Sequence, residues 1–322
     1  MKRLAVVVPV SPFEPEDILI KSAEHLLSLD YSGFDVRIVY VVDVKKSDDT
    51  RADLLRKKGV EVLVRNNTRG KRAGAINDAL KYLSSFAPEY VAIFDVDSRP
   101  EKNFVKDCVE ALEKDEKAYI ASSRRYISNP INLVSQTIEA EYYVINFLLK
   151  KSAFKQFNGL IGVLRAEMLY KYWLNEDVIT EDADFATRMH ARGYRAILVD
   201  DTKTYEQAPV KWVDLLNQRK RWYYGGLQLW RYWNDVKKSG NTRFIMSWVA
   251  ALTLTYMVII ALPFVVLAPP LLIYKFRKIR KVVVAAGLAV HVILLQYAAI
   301  SALWRYIRRK SVEWKSMERV IQ

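Results

Sequence analysis

A chain of 322 residues, 51% of them hydrophobic, is long enough for one large domain with a second, smaller body. Its formal charge of +14 is confined to the last third, because 20 of the 50 Lys and Arg but only 5 of the 36 Asp and Glu lie from Lys203 onward. That surplus is interleaved with long uncharged runs, which argues against nucleic acid and for an anionic membrane surface, and the single Cys108 excludes an internal disulfide framework.

Residues 4–10 form a continuous apolar run ending at Pro9 and Val10, followed by Ser11-Pro12, and suit a buried parallel strand. Helical spacing of Ile18, Leu19, Ala23, Leu26 and Leu27 predicts a helix over 18–29. A second buried strand, 36–42, ends at Asp43 and runs into a polar stretch with Lys45, Lys46, Asp48 and Asp49. A helix closing over 54–58 before Gly59 and a strand over 60–64 continue the alternation, which argues for βαβ units and a mostly parallel sheet.

Thr68-Arg69-Gly70-Lys71-Arg72-Ala73-Gly74 opens another helix, so backbone N–H groups and cations can meet a phosphate there; the P-loop spacing is absent. The next apolar run, 91–94, leads into Asp95-Val96-Asp97-Ser98-Arg99-Pro100. If the strand continues to this motif, alternate residues share a face, and Asp95 and Asp97 offer two hard oxygen ligands to one cation at the carboxyl end of a strand. Cys108 falls on the following helix and reads as a buried structural thiol. Residues 158–167 are a glycine-punctuated strand and turn entering a helix, and 178–184 place Glu181, Asp182 and Asp184 in the first turn of a helix that stops at Gly193. His25, His190 and His291 lie on separate predicted helices without mutual spacing and read as structural.

Gln218-Arg219-Lys220-Arg221-Trp222 lies on an amphipathic helix expected to end near Gly225-Gly226. Apolar residues at Ile131, Val134, Ile138, Tyr142, Ile145 and Leu149 predict another helix over 131–149, as a soluble core helix or an interfacial one. Residues 244–274 and 282–304 carry no charge, and about 20 helical residues cross a bilayer, so two spans are the simplest count. The basic loop Lys275, Arg277, Lys278, Arg280 and Lys281 would then lie outside, against the positive-inside tendency. Breaks at Pro263, Pro269 and Pro270 allow a re-entrant hairpin that keeps this loop inside and sends the basic residues of the 305–322 tail out.

Taken in order, Val-Pro-Val around Pro9, Val-Val-Asp43, Gly70-Lys71-Arg72-Ala73-Gly74, Asp95-x-Asp97, Thr180-Glu181-Asp182 and Gln218-x-x-Arg221-Trp222 resemble the family 2 inverting glycosyltransferases. Within them the pattern is similar to the membrane-bound branch that includes cellulose and hyaluronan synthases. Ser11-Pro12-Phe13-Glu14 and Val44 depart from the usual sequence around the base-binding positions.

The resemblance implies a GT-A-like α/β domain over 1–230, with interfacial helices near 131–149 and 211–235, a transmembrane region over 244–304 and a basic tail over 305–322. Its catalytic domain would be cytoplasmic on a multi-pass cell-membrane protein, consistent with Met1 leading into a strand without a signal-peptide pattern. It further implies a nucleotide-diphospho sugar donor, UDP-linked by preference or GDP-linked, contacted by Pro9, Asp43, Lys71, Asp95, Gln218 and Arg221. Asp95 and Asp97 would hold Mg²⁺ or Mn²⁺, Asp182 would be the general base with Glu181 its neighbour on the acceptor side, and Trp222 would face the acceptor sugar. The acceptor is expected to be a glycan. A polyprenyl or dolichyl phosphate or a lipid-linked oligosaccharide is the alternative, and a non-enzymatic membrane scaffold a remote one.

Overall fold

The computed structural model describes residues 1–45, 48–312 and 318–320. Lys46, part of the tail and the side chain of Arg280, all singled out above, lie outside the described residues. In chain order the elements are β1 (Lys2–Val10), α1 (Glu16–Leu27), β2 (Phe34–Asp43), α2 (Arg51–Lys57), β3 (Glu61–Arg65), α3 (Lys71–Tyr82), β4 (Tyr90–Ile93), β5 (Arg99–Pro100), α4 (Phe104–Glu113), β6 (Ala118–Ile127) and α5 (Leu133–Lys151). They continue with β7 (Gly162–Arg165), α6 (Ala166–Tyr172), α7 (Glu181–Ala191), β8 (Arg195–Glu206), α8 (Trp212–Gln228), α9 (Trp233–Lys238), α10 (Thr242–Leu254), α11 (Ala268–Phe276) and α12 (Val283–Ile307). The chain divides into two compact units, residues 1–125 with 155–206, and residues 126–154 with 207–320.

The first unit is built on a mixed eight-stranded sheet in the order β3-β2-β1-β4-β7-β6-β8-β5. The β1–β2, β2–β3 and β1–β4 pairs are parallel, whereas β7 joins β4 and β6 antiparallel. β1 is central because its residues Leu4 to Val8 are apolar without interruption, and all five are fully buried, as a strand covered on both faces requires. The chain moves from β1 outward through β2 to β3, then crosses back to β4 on the other side of β1. The carboxyl ends of β1, β2 and β4 therefore flank a topological switch point, where ligands bind in open α/β sheets. α1 buries Ile18, Leu19, Ala23 and Leu26, the helical spacing seen in the sequence. The fully buried Cys108 sits on α4 in the same core.

The second unit is helical. α5 begins with a reciprocal capping box between Asn132 and Ser135. Asn129 both donates to Ala208 O (2.9 Å) and accepts from its N–H (2.7 Å), which fixes the segment entering α8. α8 does not stop at Gly225-Gly226 but continues to Gln228, and Tyr256 and Leu252 lie close to Gly226. Thr242–Phe276 is helical throughout, with a 3₁₀ stretch over Thr255–Leu267 that contains Pro263 and departs from helical geometry at Met257. It and Val283–Ile307, with mean hydropathies of 2.4 and 2.1, are two helices long and apolar enough to cross a membrane.

Candidate active site

In the first unit, chemistry-bearing side chains gather at the switch point. β4 ends at Ile93, so the Asp95-x-Asp97 motif is a turn and not the strand continuation expected from its alternation. Ser98 N–H donates to Asp95 O and Asp95 N–H to Ser98 Oγ, both at 3.0 Å. Asp97 is buried and the Asp95 side chain is about one-third exposed.

Arg72, on the first turn of α3, joins this turn to the acid motif. Its Nε donates to Asp95 Oδ1 (2.9 Å) and its Nη1 to Glu181 Oε1 (2.8 Å). Its Nη2 is buried without a hydrogen-bond partner among the described residues. Burial alone would favour losing the proton, but the two carboxylates outweigh it and hold Arg72 above its ordinary pKa. Burial raises the pKa of Glu181, the charge of Arg72 opposes that, and neighbouring Asp182 adds to it. Sequence reading chose Lys71 as the cation of this loop. Lys71 is exposed and held at φ +48°, outside helical geometry, while Arg72, the next residue, is the one that meets the carboxylates.

Asp182 opens α7 and lies beside the glycine turn. Its Oδ2 accepts from Gly159 N–H (2.6 Å) and its Oδ1 from Ala183 N–H (2.8 Å). Gly159 has φ +64°, and a Cβ there would stand 3.2 Å from Arg72 Nη2 and 3.3 Å from Asp95 Oδ2. The glycine is thus required twice, by its backbone and by the close approach. Burial, then the Asp182 charge, pushes the Tyr119 phenol far above its usual range, so it stays neutral. Asp184 is fully buried and pairs with Arg188 at 2.8 Å, while Arg188 donates to Tyr172 O and Trp173 O, which makes it a structural brace.

At the end of β2, Asp43 lies 3.3 Å from Arg65 Nε. Burial pushes its carboxyl up to about 6, with Arg65 opposing and Asp78 assisting. Arg51 Nη2 donates to Asp43 O (2.9 Å) and its Nη1 to Ser11 O (2.8 Å), so one guanidinium ties the loop after β1 to the end of β2. Pro9 pairs with Val41 in the β1–β2 ladder.

Gln218, Arg219, Arg221 and Trp222 lie on α8 in the second unit. There Arg219, missed as a structural residue by the sequence reading, is buried, donates to Glu141 of α5, and holds its guanidinium 4.2 Å over the Trp222 ring. His291 Nε2 of α12 lies 3.8 Å from Glu141.

Among the described residues no three His, Cys, Asp or Glu side chains form a metal cluster. The donor set still fits Mg²⁺ or Mn²⁺, which commonly bind through one or two carboxylates and complete their shells with water and substrate phosphates. Asp95 and Asp97 would supply such a pair, and hard oxygen donors suit these ions better than softer metals.

A profile described as Glycosyl transferase family 2 matches residues 6–173, and one described as Glycosyl transferase family group 2 matches residues 90–304. The chain belongs to glycosyltransferase family 2. The expected enzyme class, a glycosyltransferase, is thereby met. Glucomannan 4-beta-mannosyltransferase 7 of Arabidopsis thaliana is 28% identical over 207 residues, 61% of this chain and 37% of that protein. Probable glucomannan 4-beta-mannosyltransferase 11 of Oryza sativa subsp. japonica is 25% identical over 281 residues, 78% of this chain and 49% of that protein. The chain spans about a third to a half of the length of these curated relatives. Among solved structures, the mannosyltransferase PcManGT from Pyrobaculum calidifontis, in complex with GDP-Man and Mn²⁺, superposes with a TM-score of 0.61 at 19% identity, over 94% of this chain and 87% of that one. The expected GT-A-like fold followed by apolar helices is the fold observed.

Proposed function

We propose that this chain is a membrane-associated, metal-dependent inverting glycosyltransferase of the polysaccharide-synthase-like branch, moving a sugar from a nucleotide-diphospho donor to a glycan. The observation that carries this reading is the Arg72 bridge from Asp95 to Glu181, with Asp182 beside it at the switch point of the sheet. The mannosyltransferase names of the relatives, together with the GDP-Man bound in PcManGT, make GDP-mannose the first donor to test, ahead of the UDP-sugar favoured by resemblance alone.

Asp43 would meet the base, with Pro9 shaping the strand end beneath it. Lys71 and the unpaired Nη2 of Arg72 would turn to donor oxygens. Asp95 and Asp97 would hold the cation, whose chemistry when bound is to neutralise the diphosphate leaving group. Asp182 would take the proton of the attacking hydroxyl. Its backbone partners aim the carboxylate and leave lone pairs free, since a carboxylate offers about four acceptor positions. Glu181, tied to Arg72, is less available and serves on the acceptor side. Motif resemblance assigns Gln218 and Arg221 to the diphosphate and Trp222 to the acceptor sugar.

The exposed apolar helices of the second unit favour a second reading, in which the acceptor is a polyprenyl phosphate or lipid-linked oligosaccharide. Membranes containing the full chain, incubated with radiolabelled GDP-mannose and UDP-sugars, separate the two. Label in aqueous polymer supports the first reading and label in the lipid extract the second. Absence of transfer from every donor overturns both.

A further inference from the structure

The geometry points to a second unit that rests in one leaflet of an anionic bilayer, with neither apolar helix crossing it. This goes beyond the proposed reaction, since it concerns how the enzyme meets lipid. It begins with what α12 touches. A Cβ on Gly287 would strike Thr137 of α5, and His291 approaches Glu141. Farther along, Lys220 of α8 lies over Tyr297 (5.0 Å), Tyr223 packs with Ala298, Ala299 and Ala302, and Tyr224 meets Tyr306 (5.5 Å). From end to end, α12 therefore lies along α5 and then α8.

Were α12 to cross some 30 Å of hydrocarbon, these two helices would be carried to the same depth. Glu141, Arg219 and Lys220 would then stand in the bilayer beside its middle turns, where charged side chains are strongly disfavoured. α8 also carries Gln218 and Arg221, which must reach a water-borne donor if they have the proposed role.

The first apolar run leads to the same arrangement. Straight, 35 residues of helix would reach about 52 Å. Near its start, however, Phe244 packs on Phe154 (5.8 Å) and Ser247 Oγ accepts from Ala153 N–H (3.2 Å). At its end, Phe276 packs on Tyr143 (5.4 Å). Tyr143 and Phe154 are separated by at most about 22 Å of chain, mostly helical, so the run goes out and returns. Its turning part, Thr255–Leu267, has no buried residue.

What remains exposed has the pattern of a lipid-facing stripe. Val290, Ile293, Ile300, Trp304 and Ile307 are each more than one-third exposed and recur at helical spacing along one face of α12, opposite the packed face. Basic residues flank the apolar surface, Lys275, Arg277 and Lys278 before α12 and Arg305, Arg308 and Arg309 at its end. One-sided docking keeps both groups among anionic headgroups and removes the positive-inside conflict of a two-span count.

The test uses the full chain in inside-out vesicles of the expression host, with Lys238→Cys, Lys278→Cys and Arg309→Cys made singly and treated with a membrane-impermeant maleimide. Cys108 is buried and gives the background. All three new thiols should label to the same extent with and without detergent. Labelling of Lys278→Cys only after detergent would show that the first run crosses, and the same result confined to Arg309→Cys would show that α12 crosses; either overturns the inference. Trypsin on vesicles carrying the unaltered chain reads the same sites without substitution. Peptides ending within 275–281 and 305–310 should appear before detergent is added, and protection of either segment counts against docking on one side.

Discussion

Each unit buries an arginine against carboxylates, yet the two arrangements differ in what they leave over. At the switch point Arg72 is shared by Asp95 and Glu181, and Asp97, Asp182 and Asp43 add further acids around the same strand ends. There two carboxylates share the one guanidinium of Arg72, and the proposed divalent ion would add positive charge beside them. In the helical unit Arg219 takes Glu141 as its partner, with His291 of a third helix at the edge, so charges are nearly matched. An acid-rich cluster is poised to bind something, whereas a matched one fastens helices together. The first should respond to ligands and pH and the second to unfolding.

The largest effect should come from the acid-rich cluster. Chelation with EDTA is expected to abolish transfer, with recovery on adding Mn²⁺ or Mg²⁺, and Asp97→Ala should not recover. Undiminished turnover of Asp97→Ala in EDTA would remove the metal from the proposal. Asp182→Asn keeps the size and, through its single amide oxygen, one of the two backbone contacts, but cannot take a proton. Transfer should fall roughly 100-fold or more while donor affinity by calorimetry stays nearly constant. A parallel Glu181→Gln enzyme that is dead beside an active Asp182→Asn would exchange the two roles.

The matched cluster predicts a different outcome. Glu141→Gln leaves a buried guanidinium without its counter-charge and should cost about 3 kcal/mol of stability, read by thermal unfolding of the detergent-solubilised chain. Donor affinity of the surviving folded fraction should be unchanged. A melting temperature equal to that of the unaltered chain would make the pair ornamental. Trp222→Ala is expected to act more narrowly still, raising acceptor KM about tenfold with donor binding intact, because stacking acts on the acceptor. Equal losses on both sides would mark Trp222 as a packing residue.

How much of this was legible in the sequence depended on whether the signal was local. Buried strands β1 and β2 could be read because uninterrupted apolar runs need no knowledge of partners. β6 and β8 were not predicted: each has a short apolar run, at 118–121 and 196–199, but β6 goes on through Ser122, Ser123, Arg124 and Arg125 and β8 through Asp200, Asp201 and Lys203, so most of each strand is polar. The polar groups find partners only in three dimensions, as Arg124 does with Asp200 and Arg125 with Glu206. Arg72 escaped for the same reason, since its partners lie 23 and 109 residues away and nothing nearby distinguishes it from Lys71. Glu141 and Arg219 read as ordinary polar positions on amphipathic helices until the helices were seen to pair.

The smallest expected effect isolates the acid at the base-binding end. With its carboxyl pushed up to about 6 by burial, Asp43 is charged at neutral pH and loses that charge as the pH falls through about 6. If it accepts a hydrogen bond from the nucleotide base, only the charged form binds well, so donor affinity should weaken about fourfold between about pH 7.5 and 5.5. Folding has the opposite sign. A carboxyl whose pKa is higher in the folded than in the unfolded chain contributes stability at low pH, and that contribution is lost as pH rises through about 6. Acidification therefore favours the fold through Asp43 while it weakens the donor, and a loss of affinity cannot be credited to unfolding at this residue. Asp43→Asn should flatten the affinity profile by calorimetry. A profile that keeps its slope in Asp43→Asn assigns the titration to another group and leaves Asp43 only its pairing with Arg65.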